Sequence, residues 1–114
     1  MTHHMEEPRI LIIGRKQVVI DGLIATLTAQ GRNVTGTDSR DEVTEILEDE
    51  EIDLIVLGGG LADDVRSELS TYIKSIKPEI PIRLKDRIQG PEGMVDMINK
   101  IVAGFSNGTA TKAH

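Results

Sequence analysis

The chain has no cysteine and no tryptophan, and only one Phe and one Tyr among its 114 residues. Without thiols there is no disulfide, no thiolate nucleophile and no Cys-ligated zinc or iron–sulfur centre. Two aromatic rings make no platform on which bases could stack. The formal net charge of −6, from 13 Lys+Arg against 19 Asp+Glu, runs against the clustered cations that a phosphate backbone requires. No nucleic-acid partner is expected. No apolar run approaches the roughly 18 residues of a membrane span, and the N-terminus lacks a signal-peptide apolar core. The expectation is a cytoplasmic protein with no membrane partner. His3, His4 and His114 are the only histidines, and all lie in terminal stretches, so no Ser–His–acid set can be assembled inside a folded core. What the chain does have is aliphatic bulk, with 15 Ile, 9 Leu and 8 Val. That composition, at this length, suits one domain with one core of branched side chains.

The ends carry no packing signal. Residues 1–8 (MTHHMEEP) and 106–114 (SNGTATKAH) are polar and aperiodic, and read as disordered tails around a domain spanning 9–105. A His pair in such a tail reads as incidental, and no metal site or cofactor is expected. Between the tails the hydrophobic period alternates. Ile10 to Ile13 is a continuous aliphatic run of the kind buried on both sheet faces. Val19, Ile20, Leu23, Ile24 and Leu27 then recur at helical spacing, and Gly31 supplies a stop. Asn33 to Thr37 reads as a weaker strand. Ser39 with Glu42 fits a capping box ahead of Val43, Ile46 and Leu47. Ile52 to Leu57 is the strongest strand, closed by Gly58-Gly59-Gly60. Leu61, Val65, Leu69, Tyr72, Ile73 and Ile76 mark a third helix that must end before Pro78. Ile80 to Leu84 reads as a fourth strand. Gly90-Pro91 opens a last helix with Met94, Ile98, Ile101, Val102 and Phe105 on one face.

Four strands alternating with four helices imply parallel pairing through right-handed crossovers. The predicted fold is a doubly wound α/β domain with strand order 2-1-3-4 and helices on both faces. In such sheets sites gather at the carboxyl ends of the strands, near the switch point. That singles out Gly14, Arg15 and Lys16, then Gly58, Gly59 and Gly60, then Lys85, Asp86 and Arg87.

The run ILIIGRKQVVIDGLIATLTAQGRNVTGT, followed by DEVTEILEDEEIDLIVLGGGL, resembles the CheY-like receiver domains of bacterial response regulators over about Arg9 to Leu84. The resemblance implies a flavodoxin-like fold and a role in signal transduction. It also implies what should stand at the strand ends, and here the chain departs. Where a receiver carries a magnesium-holding acidic pair, this chain has Gly14 and Arg15. Where a receiver carries its phosphoacceptor Asp, it has Gly58. The hydroxyl residue ending strand four would fall near Asp86, and the family's Lys before the last helix has no counterpart. Aspartyl phosphorylation needs a carboxylate oxygen and a cation held by further carboxylates. The chain is therefore expected to be a non-enzymatic pseudo-receiver that is not phosphorylated by the receiver mechanism, acting through an unidentified protein partner. The interval after Pro81 is short by one helix and one strand, though Ile88-Gln89 could form a vestigial fifth strand.

Two further features point to partners or ligands. Ile82 and Leu84 alternate with Arg83, Lys85 and Arg87, which suits a solvated edge strand or a homo-oligomeric contact with an acidic surface. One such surface would be residues 42–53, with seven acids and no base. The triple glycine reads either as a tight turn or as an anion or nucleotide pocket of bare backbone N–H groups, with Gly14, Arg15, Lys16 and Lys85 around it. Asp63-Asp64 reads as a helix-start pair favoured by the dipole, not as an acid–base couple.

Overall fold

Period-two burial in the strands sets the layers. In the computed structural model, which describes residues 7–85 and 91–112, β1 (Arg9–Ile13) sends Ile10 and Ile12 to one face and Leu11 and Ile13 to the other. β3 (Leu54–Leu57) does the same with Leu54 and Val56 against Ile55 and Leu57, and all four side chains are fully buried. Strands covered on both faces must be aliphatic throughout, which is why the two strongest runs in the sequence lie side by side. β2 (Asn33–Thr37) and β4 (Ile82–Leu84) flank them, so the four strands run in order β2-β1-β3-β4, all parallel. The predicted order and class are observed.

Each face has its own helices. α2 (Arg40–Asp49) contributes Val43 and Leu47, and α3 (Asp63–Ile76) contributes Leu69 and Ile73, to the side of Leu11 and Leu57. α1 (Gln17–Ala29) brings Leu23 and Leu27, and α4 (Pro91–Lys112) brings Met94, Ile98 and Val102, to the side of Ile10 and Val56. α1 ends in a Schellman motif: Arg32 N–H donates to the Leu27 carbonyl at 2.9 Å and Gly31 N–H to Thr28 at 3.0 Å. Gly31 takes φ 87°, a conformation that strains any residue with a Cβ. Gly36 is small for another reason. A Cβ there would lie 2.5 Å from Ile20 Cγ2 and 3.0 Å from the Ile12 carbonyl, so α1 could not approach β2 this closely.

The capping box ahead of α2 forms with a detour. Ser39 accepts from Glu42 N–H at 3.5 Å, but Ser39 N–H donates at 2.9 Å to the Thr37 hydroxyl, which itself donates to the Glu42 carboxylate. The buried Thr37 at the end of β2 thus stands between the two arms of the box.

Several expectations need correcting. β3 begins at Leu54 because Asp53 pairs with Arg9 instead of continuing the strand: its N–H donates to the Arg9 carbonyl, and its carboxylate accepts from Arg9 N–H, each at 2.8 Å. β4 begins at Ile82, since Ile80 N–H turns back to the Lys77 carbonyl. α4 continues past Phe105 to Lys112, where a tail was expected; no proline intervenes to stop it. Val65 and Ile76, read as core residues of α3, are exposed, and Arg66 is buried in their stead. Lys85, read as part of a solvated basic edge, is 5% exposed, while Leu84 beside it is 51% exposed. The vestigial strand at Ile88, together with Asp86, Arg87 and Gly90, falls outside the described residues.

Candidate functional site

Both central strands end in glycine at the carboxyl edge of the sheet. Gly58 N–H donates to the Ile13 carbonyl at 2.8 Å, and Gly14 N–H donates to the Thr37 carbonyl at 3.2 Å, so the two glycines extend the ladder by one residue. Both are buried. Gly58 does not take positive φ, and a Cβ on it would meet only the Ile13 carbonyl at 3.4 Å and Gly14 Cα at 3.5 Å. A side chain is thus neither conformationally barred nor severely crowded at this position.

The charge that comes to this point is a cation. Arg66, one turn into α3, reaches back over the strand ends and donates to the Gly58 carbonyl from Nε at 3.2 Å and from Nη2 at 3.1 Å. Nη2 also donates to the carbonyl of Lys85, whose own N–H donates to the Leu57 carbonyl at 2.9 Å. One guanidinium, 8% exposed, therefore holds the ends of β3 and β4 together. Arginine suits this because its planar fork keeps several donors in fixed directions. The sequence reading missed Arg66. The signal was present, since residues 66, 69 and 73 share one helix face, but a charged residue on an apolar stripe is more often solvated.

Beside this brace opens a cleft of about 540 Å³ lined by Arg15, Gly59, Gly60, Leu61, Ala62, Asp63 and Val65. Of the residues singled out as an anion pocket, it brings together Arg15, Gly59 and Gly60. Gly14 and Gly58 lie beneath in the ladder. Lys16 is exposed at the N-cap of α1, where its carbonyl accepts from Val19 and Ile20, both at 3.1 Å. Lys85 lines a different cavity, against α4. Asp63 adds a carboxylate to the cleft wall, and with Asp64 it occupies the first turn of α3, as expected for the dipole; the N-cap itself is Ala62, without a side-chain cap. Among the described residues no three of His, Cys, Asp and Glu come together in a way that could hold a metal ion, and no helix is long and apolar enough to cross a membrane.

A parallel sheet whose described strands run in order 2-1-3-4, with a crevice at the β1/β3 switch point, matches the fold of response-regulator receivers. The solved structures agree. A response regulator from Thermotoga maritima superposes with a TM-score of 0.63 at 15% identity, over 85% of this chain and 98% of that one. A response regulator receiver protein from Pseudomonas putida superposes with a TM-score of 0.56 at 21% identity, over 82% of this chain and 78% of that one. No family model and no curated protein sequence matches the chain.

Proposed function

We propose that this chain is a pseudo-receiver: a signalling or regulatory module that keeps the receiver scaffold, does not accept a phosphoryl group, and works through contact with another protein. The observation that carries this reading is the Arg66 guanidinium bonded to the Gly58 carbonyl. A receiver would need a nucleophilic carboxylate at this strand end, with a divalent cation beside it. Gly58 offers no nucleophile, and a buried guanidinium with Arg15 nearby repels a cation. With glycine in place of a nucleophilic carboxylate at the end of β3, and cations where a divalent ion would have to sit, the strand end does not suit phosphoryl transfer by the receiver mechanism.

The test is incubation with magnesium and a small acyl phosphate, followed by intact-mass spectrometry. The expected result is an unmodified chain, with no saturable amide shifts around Gly14 and Gly58 on magnesium titration. A stoichiometric, acid-stable and hydroxylamine-labile phosphoryl adduct would overturn the reading. The second reading, a small-anion or nucleotide module, is supported by Arg15 and the backbone of Gly59 and Gly60 in the cleft, and opposed by Asp63 on the same wall. A thermal-shift panel of phosphate and nucleotides separates the two. A ligand at a hundredfold its Kd stabilises by about 2.7 kcal/mol, so a flat panel retires the anion module.

A further inference from the structure

The outer edge of β4 carries a second inference, which rests on the contact-module reading and names the chemistry of the partner. In the β3–β4 ladder, Ile55 N–H donates to the Pro81 carbonyl at 3.0 Å and Lys85 N–H to the Leu57 carbonyl at 2.9 Å. Parallel strands turn alternate residues toward opposite neighbours. Arg83 therefore directs its amide and carbonyl to β3, while those of Ile82 and Leu84 face away from the sheet. No described strand lies beyond them.

Along this edge runs a groove of about 590 Å³, walled by β4 on one side and by Asp96, Met97, Lys100 and Ile101 of α4 on the other. Ile82 packs toward α2 and α3, so Leu84 lies on that same side and Arg83 projects to the α4 side. The edge therefore presents aliphatic side chains on one face and cationic ones on the other. Among the described residues, Arg83, Lys85 and Lys100 line the groove against one carboxylate, that of Asp96, in a chain whose net charge is −6.

Two occupants within the chain's own repertoire are disfavoured. Pairing two copies edge to edge about Arg83 would set like charges opposite one another. The acidic run 42–53 of a second copy is helical to Asp49, and its extended end is already engaged through Ile52 in the core and Asp53 on Arg9. We propose that β4 accepts an extended segment of another protein in which acidic and aliphatic residues alternate, adding as a fifth strand. Its main chain would pair with Ile82 and Leu84. Its acids would face Arg83 and Lys100, and its aliphatic side chains would cover Leu84. Main-chain bonds supply affinity in strand addition, and the alternating side chains supply selectivity.

The probe is a short labelled peptide alternating Val and Glu with blocked ends, titrated by fluorescence anisotropy and by amide hydrogen exchange. Its controls are the Val/Lys peptide and a version with a central proline. The expected result is saturable binding by the Val/Glu peptide alone, with slowed exchange at Ile82 and Leu84. R83E combined with K100E should weaken it about tenfold or more, with circular dichroism confirming that the variant remains folded. Binding by the lysine or proline peptide of equal strength would overturn the inference, as would indifference to the charge reversal or no saturation. So would Ile82 and Leu84 amides already protected in the free chain, or protected by a dimer seen in light scattering. None of these outcomes touches the phosphoryl-transfer assay, so the two readings fail separately.

Discussion

The two ends of β3 are chemical opposites. At the carboxyl end sit Gly58, the buried Arg66 and the exposed Arg15 and Lys16, with Asp63 the carboxylate of the cleft wall. At the amino end a cavity of about 460 Å³ is walled by Glu48, Asp49, Glu50, Glu51, Asp53 and Glu79, with Lys77 as its cation. An acidic chain with a receiver-like fold thus gathers six carboxylates around the amino end of β3. Composition alone does not make a carboxylate site; the strand terminus that presents the residues does. Glu48 and Asp49 even occupy the last turn of α2, where the helix dipole disfavours negative charge and no basic residue offsets it.

The contrast can be broken by mutation, and the largest effect is expected at the cationic end. Arg66→Met keeps the length and apolar stem of the side chain but leaves the carbonyls of Gly58 and Lys85 without their donor. We expect a loss of about 2–3 kcal/mol by urea denaturation, with exchange at the Lys85 amide rising first. A loss within a few tenths would mean that water replaces the guanidinium freely, and the brace would lose its structural role. At the acidic end the effects should be smaller, because the groups there are solvated. Asp53→Ala removes the carboxylate acceptor of Arg9 N–H, and should cost about 1 kcal/mol by the same measurement. Glu50→Gln dissolves an exposed ion pair with Arg9 at 3.7 Å, and should shift stability by less than about 0.5 kcal/mol, falling toward zero in salt. If Glu50→Gln proved costlier than Arg66→Met, the two ends would have been ranked backwards.

How much of this was legible in the residues depends on the element. Continuous runs such as Ile10–Ile13 and the alternation of periods 2 and 3.6 fix a doubly wound order almost uniquely, since parallel crossovers are right-handed and buried strands must be central. The glycines at the strand ends were legible too, because Gly14 and Gly58 each follow directly on a buried aliphatic run. Arg66 and Lys85 were not. Periodicity assigns a helix face by counting apolar residues, and it placed Val65 inward. Near the first turn of α3, however, the face that meets the sheet is the one carrying Arg66, Leu69 and Ile73. Alternation along β4 likewise placed Lys85 in solvent with Arg83, yet that face of the strand looks onto the groove against α4, where Lys85 is buried. A lysine there can bury its methylene stem along the groove wall.

The docking of α4 bears on how the molecule is made. Ile10, Ile12, Leu54 and Val56 on one sheet face are covered jointly by α1 and by Met94, Ile98 and Val102 of the last helix. A ribosome-bound chain that has emerged only as far as Leu84 holds the four described strands yet lacks half of that cover. Its sheet should remain a sticky intermediate, vulnerable to proteases and chaperone-binding, until synthesis has delivered the final helix.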